Sequence, residues 1–260
     1  MRFDQYLVLN NYFESRNKAS AAIRNGEFSV CGKVILKPSY LINEEDLVGR
    51  VKMSYSYVAR SAKKLLHGYS VFKPNWEGLV AADFGASTGG FCQVLLENGV
   101  KKVYAIDIGT AQLHPSLLND DRIINREHTN ARYLQAQDFP EPIHAITADL
   151  SFISIKAVLP AICNTLAELG EAILLVKPQF EAGKGALNKS GVVTDLKIHR
   201  QVLKDVALYA ESLGLAVKGI SFSGLAGESG NREYLLFIKK GGQGMADISS
   251  AVEIAVQTEE

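Results

Sequence analysis

Residues 83 to 91, DFGASTGGF, set three glycines, a serine and a threonine into a tight turn between the apolar run LVAA and the segment CQVLLENGV. Such a turn, following a strand and opening a helix, offers backbone N–H groups and a helix N-terminus to a ligand. Its spacing excludes two common ligand classes. A dinucleotide fingerprint wants glycine at its third position, where this chain has Ser87, and a P-loop ends in Gly-Lys-Ser/Thr, which is absent here. The later GKGALNKSG has lysines at the wrong spacing. What remains is a ligand that needs close backbone approach beside carboxylates. Asp83 opens the turn, and Asp107 ends the next apolar run, VYAID, where an acid can accept both hydroxyls of a ribose. S-adenosylmethionine fits, with its amino-acid end over Gly85, Ser87, Gly89 and Gly90 and its ribose on Asp107. The competing reading is that these glycines only let a helix pack against a strand.

The elements that must position these residues follow from periodicity. LVAADF, VYAID, HAITADL and AILLVK are short, continuous apolar runs, each followed by a helix-sized segment, which is the pattern of a parallel sheet covered on both faces. LAVKGISFSG and REYLLFIKK lack a helix between them and predict an antiparallel terminal hairpin. The expected fold is therefore α/β, a Rossmann-like sheet, preceded by a small α+β module. In that module two short helices over residues 3–24 lead into FSV and VIL around Cys31-Gly32, a hairpin. The expected boundaries are 1–58 for the module, 59–75 for a polar, basic linker, 76–240 for the sheet domain and 241–260 for a loosely packed tail.

Charge is unevenly divided in a chain with no net charge: residues 1–67 carry 11 Lys+Arg against 6 Asp+Glu. An excess of that kind either meets a polyanion or is solvated surface. Arg16, Lys18 and Arg24 share one predicted helix and are placed to grip successive phosphates. No run reaches the roughly 18 apolar residues of a membrane span, and the N-terminus lacks the pattern of a signal peptide. A cytoplasmic protein with no membrane partner is the expectation. Cys31, Cys92 and Cys163 are scattered, without CxxC, and the five histidines have no ligand spacing, so neither disulfides nor a metal is implied.

The ordered blocks DFGASTGGF, VYAIDIGTAQL, REHTNAR, ITADLSFISI, ILLVKPQFEAG and GNREYLLFI resemble the hemolysin A (TlyA) family of FtsJ-like ribosomal RNA 2'-O-methyltransferases, over nearly the whole chain. FDQYLV, ESRNKASAAIRNG and the hairpin are similar to the S-four RNA-binding domain. The resemblance implies an S-adenosylmethionine-dependent enzyme that methylates a ribose hydroxyl, that of cytidine, in small- or large-subunit rRNA, with rRNA or ribosomal subunits as partner. It implies a catalytic Lys-Asp-Lys-Glu set, falling here on Lys64, Asp149, Lys177 and Glu233. Lys63 is a rival for the first position, because SAKKL lacks the family's glycines. The last three lie at three strand ends and converge on one sheet edge. A ribose hydroxyl is a poor nucleophile and must be oriented and relieved of its proton. Lys177, flanked by Asp149 and Glu233, either stabilises the developing alkoxide or accepts that proton.

Smaller assignments have two readings each. Asn130 either meets the adenine edge or caps a turn, and Phe91 either supports the cofactor or packs. Methylation at a pyrimidine C5 needs a cysteine nucleophile, and Cys92 and Cys163 lie on helical stretches away from strand ends. Methylation of an exocyclic amine remains the alternative, since DLSF partly resembles the Asp/Asn-Pro-Pro-aromatic turn of amino methyltransferases. A third class, a non-catalytic RNA-binding or hemolysin-like protein, sits poorly with the intact glycines and Asp107.

Overall fold

The period-3.6 and period-2 patterns become helices and strands in a computed structural model that describes residues 1–13, 15–24, 26–43, 45–50, 57–227 and 230–258, without the side chains of Lys18, Ala21 and Lys184. The chain divides into two units, Met1–Ser56 and Tyr57–Glu260. In the first, α1 (Phe3–Leu9) and α2 (Arg16–Arg24) bury Phe3, Leu7, Ala19, Ala22 and Ile23 against a small antiparallel sheet. Its strands are β1 (Phe28–Val30), β2 (Lys33–Val34) and β3 (Val48–Arg50), in the order β2-β1-β3. Cys31 and Gly32, both at positive φ, turn the expected hairpin. Phe28 anchors the unit, with edge-on contacts to the rings of Phe3, Tyr12 and Phe13.

The second unit begins with α3 (Ala62–Phe72) and continues through β4 (Val80–Phe84), α4 (Gly90–Glu97), β5 (Lys102–Ile106), α5 (Pro115–Leu118), β6 (Ile123–Arg126), β7 (Ile143–Ala148), α6 (Leu159–Thr165), β8 (Leu166–Val176), α7 (Pro178–Glu181), α8 (Leu196–Ser212), β9 (Leu215–Phe222), β10 (Tyr234–Lys240) and α9 (Ile248–Gln257). The sheet order is β6-β5-β4-β7-β8-β10-β9. Strands β4 to β8 pair in parallel, and β10 inserts antiparallel between β8 and β9. The α/β expectation with an antiparallel terminal hairpin is met. Successive residues of each strand feed opposite cores: Ala172, Leu174 and Val176 face one layer, Ile173 and Leu175 the other. Burial on both faces is why these strands read as unbroken apolar runs.

Two expected boundaries differ from the structure. The predicted linker, 59–75, contains α3, whose Ala62 and Leu65 are fully buried with Trp76 against the sheet. Apart from the buried Lys64, its polar and basic residues are exposed or half-buried and conceal an apolar stripe at helical spacing, Ala62, Leu65, Tyr69 and Phe72. Burying Leu65 alone stabilises the helix by roughly 1.5–3 kcal/mol. The predicted loose tail contains α9, capped by Asp247, whose side chain accepts from Ser250 N at 2.9 Å. Val252, Ala255 and Val256 are buried in the main core, and Glu253 forms a two-pronged ion pair with Arg200 at 2.6 and 2.9 Å. Among the described residues, no helix is long and apolar enough to cross a membrane.

Candidate active site

The carboxyl ends of β4, β5, β7 and β8 share one edge of the sheet with the start of β10, because Tyr234 pairs with Val176 in the antiparallel register. The chain leaves β4 at the switch point, between β5 on one side and β7 on the other. There the glycine turn is tight: Gly85, Ser87 and Gly89 have φ of +83°, +49° and +94°. The N–H groups of Gly85 and Ala86 both donate to Ile106 O, at 2.8 and 3.0 Å. The protein's own packing demands these glycines. A Cβ at Gly85 would lie 3.0 Å from Asp149 O, one at Gly89 would fall on Leu117, and one at Gly90 would lie 2.7 Å from Ser61 Oγ.

Asp107 closes the turn from the neighbouring strand, accepting from Ser87 N at 2.8 Å and from Gly109 N at 2.7 Å. A carboxylate offers about four acceptor positions, so these bonds orient Asp107 and leave it capacity for a diol. Asp83 does not face the turn's opening. It is 1% exposed, and its oxygens accept from Thr147 Oγ1 at 2.8 Å and Cys92 Sγ at 3.2 Å. This corrects its expected place in the cofactor contact set: β4 carries its side chain inward. Phe91 is likewise buried among Val94, Leu95 and their neighbours, which is the packing reading. Asn130 caps the turn Ala131–Tyr133, accepting from Arg132 N at 3.1 Å.

Burial pushes the Asp83 carboxyl up to about 7, against the opposing pull of the Thr147 and Cys92 hydrogen bonds. The folded chain thus holds a proton that an unfolded chain releases near 3.8. That contribution to stability is fully present below about 4 and is lost as pH rises through about 7. Asp83→Asn, neutral at every pH, should therefore gain stability relative to the parent on going from pH 5.5 to pH 8, by on the order of a few kcal/mol. Urea midpoints at the two pH values check this, and a gap that stays constant would contradict the buried, proton-holding carboxyl.

The four residues of the Lys-Asp-Lys-Glu set come together as two ion pairs. Lys64, in the first turn of α3, reaches Glu233 Oε2 at 2.5 Å, and both side chains are under one-tenth exposed. Lys177, just beyond β8, lies 2.6 Å from Asp149 Oδ1, just beyond β7. Lys177 also donates to Ser151 Oγ at 3.2 Å. Lys63 is exposed, and it is Lys64 that is buried against Glu233. Glu233 is held further by Gln179 Nε2 at 3.1 Å. The loop above it packs so closely that a Cβ at Gly227 would fall on the Glu233 carboxylate. Both pairs adjoin the glycine turn: Asp149 N donates to Phe84 O at 3.2 Å, and a Cβ at Gly90 would lie 3.2 Å from the backbone N of Ala62, at the start of the helix that carries Lys64.

Residues 57–240 match the model of the FtsJ-like methyltransferases. The chain belongs to this family. It is 38% identical to the 16S/23S rRNA (cytidine-2'-O)-methyltransferase TlyA of Mycobacterium tuberculosis, over 92% of this chain and 89% of that relative. Hemolysin A of Brachyspira hyodysenteriae is 36% identical over 90% of this chain and 98% of its own length. A solved structure from Streptococcus thermophilus, provisionally assigned as a hemolysin, superposes with a TM-score of 0.78 at 36% identity, covering 98% of this chain and 94% of that one.

The FtsJ-like domain also brings in residues that the sequence reading passed over. Glu127, after β6, accepts from Ala111 N at 2.8 Å and Gln112 N at 3.0 Å; these bonds hold its carboxyl below the ordinary range and fix the loop beyond Asp107. Phe152, in the DLSF segment, is 92% exposed, and its ring centroid lies 5.4 Å from that of Phe180. Lys177 Nζ lies 5.9 Å from the Phe180 ring centre. Phe180 thus links the exposed Phe152 ring to Lys177, a relation that only the fold creates.

In the first unit, Arg16 pairs with Asp4 at 3.1 Å and keeps about half of its side chain exposed. Asp4 also binds Arg2, whose hydrogen bond is the main cause of an Asp4 carboxyl lowered to about 2. Arg24 is exposed in the last turn of α2. The side chain of Lys18 lies outside the described residues.

Proposed function

We propose that this protein transfers a methyl group from S-adenosylmethionine to the ribose 2'-hydroxyl of cytidine in ribosomal RNA. The observation that carries the reading is the pair of ion pairs, Lys64–Glu233 and Lys177–Asp149, gathered beside a glycine turn at the switch point of an FtsJ-like sheet. The names of the TlyA relatives support the substrate class.

Asp107 would hold the cofactor's ribose, and the Gly85–Gly90 turn its amino-acid end; the spare acceptor capacity of Asp107 and its place against the turn fit that role. The bound cofactor supplies an electrophilic methyl group on sulfur. The chain's part is to orient the hydroxyl and manage its proton. Lys177, held by Asp149 and Ser151, presents its nitrogen where the alkoxide develops. Glu233 and Lys64 belong to the same site, and Phe152 offers a flat ring to the target base. Incubation with methyl-labelled S-adenosylmethionine and separated ribosomal subunits or naked rRNA tests the reading, and RNA left unlabelled would defeat it.

Two further results are expected. Asp107→Ala should weaken S-adenosylmethionine binding by about 1–3 kcal/mol, the worth of hydrogen bonds to a charged acceptor, and a parent-like affinity by calorimetry would displace Asp107 from the site. The module spanning residues 1–58 is proposed to be an S-four-like RNA-binding domain that grips phosphates through Arg16, Lys18 and Arg24. Replacing all three with alanine should weaken RNA binding and flatten its salt dependence, leaving cofactor affinity intact. An unchanged salt slope would return them to solvated surface.

A further inference from the structure

Phe152 is held at φ +62°, a left-handed conformation that is an outlier for a bulky side chain, and does not bury its ring in return. Such backbone strain persists only where the surroundings over-determine it, and it concentrates at ligand clamps. On the N-terminal side the segment is tied down by Asp149 N to Phe84 O and by Lys177 to Ser151 Oγ. Both ties on the C-terminal side run to one carboxylate. Glu181 Oε2 accepts from Ser154 Oγ at 2.6 Å, and Glu181 Oε1 accepts from Ile155 N at 2.6 Å. Ser154 Oγ in turn caps the turn Ile155–Ala157, accepting from Lys156 N at 3.2 Å.

Glu181 is the last residue of α7, the short helix that follows Lys177 and carries Gln179, the partner of Glu233, and Phe180, the ring beside Phe152. One side chain therefore joins the two loops that border the ion pairs, and no step of the proposed reaction requires it. We propose that Glu181 is a positioning residue, a strut that locks the Ser151–Ile155 loop against α7 and so holds the Phe152 ring where the target base stacks. The proposal rests on the methyl-transfer reading above. Two convergent donors explain why an acceptor-only group serves here. Glutamine can replace it, its oxygen accepting from Ile155 N and its amide donating to Ser154 Oγ, whereas alanine leaves both donors without a partner.

The test combines kinetics on the full chain with amide exchange. Glu181→Ala should lower kcat/KM for rRNA about tenfold, leave S-adenosylmethionine affinity unchanged, and speed exchange of the Ile155 amide. Glu181→Gln should restore the rate. If Glu181 acts through Phe152, the alanine change should cost no more than about twofold in a Phe152→Ala background, because the two changes remove one function. The same tenfold loss in both backgrounds would overturn the proposal. So would full activity in Glu181→Ala despite an unprotected Ile155 amide. A parent protein that transfers no methyl group defeats the reaction itself, whereas an active parent whose rate ignores Glu181 defeats this inference alone.

Discussion

Lys177→Ala should lower the rate of methyl transfer by about 10²- to 10³-fold, the usual effect of removing one preorganised charge from a reacting centre. Affinity for S-adenosylmethionine and for RNA should change far less, because the interaction strengthens as the hydroxyl becomes an alkoxide and is weak in the ground state. The geometry sharpens the expectation. Lys177 is 8% exposed and fixed between Asp149 and Ser151, while the other lysine of the set, Lys64, is engaged with Glu233. Lys177→Arg separates two roles for the nitrogen. A guanidinium keeps the charge but does not act as a proton acceptor, and its planar fork needs a different space. An inactive arginine variant is the expected result. An active one would leave electrostatic stabilisation as the whole contribution, and an active alanine variant would remove Lys177 from the mechanism.

Glu233→Ala should affect both fold and reaction. Lys64 and Glu233 are buried together, and truncating one partner leaves the other as an uncompensated charge, at about 3–5 kcal/mol. A thermal midpoint lowered by on the order of 10 °C follows for a chain of this size. Replacing both partners by apolar residues, as in Lys64→Met with Glu233→Leu, should return most of that stability, since a buried ion pair is often no better than well-packed carbon. Activity should stay lost. Glu233→Gln supplies a second control, because the buried Gln179 Oε1, which has no hydrogen-bond partner among the described residues, can accept from the new amide. A stable double variant that still methylates RNA would make the pair purely structural.

The sheet was legible because its strands are buried on both faces and announce themselves as apolar runs, with acids and glycines at their carboxyl ends. The convergence of Asp149, Lys177 and Glu233 followed from that topology alone, since strand ends share an edge. Lys64 was harder. It sits on a helix whose outer face is so polar and basic that the segment passed for a linker, and only its apolar stripe betrays the packing. The helix over residues 248–257 was hidden in the same way behind a glycine-rich start and an acidic end.

Side-chain direction was the other gap. Period-2 alternation along β4 turns Asp83 inward to Thr147 and Cys92, although its place beside the glycines suggested a ligand. The glycines themselves carry less about ligands than their pattern promised, because Asp149, Leu117 and Ser61 already crowd them. Glu127 and Glu181 gave no local signal at all. Each matters through backbone groups 15 to 26 residues away along the chain, a relation created only by the fold.

The atom that receives the methyl group distinguishes ribose from base methylation. Labelled rRNA from the transfer reaction should be digested to nucleosides and the label assigned by mass. The expected product is 2'-O-methylcytidine, with the label on the sugar fragment and lost in the Lys177→Ala reaction. Label on the base fragment, above all on an exocyclic amine, would contradict it and favour the amino-methyltransferase reading of DLSF.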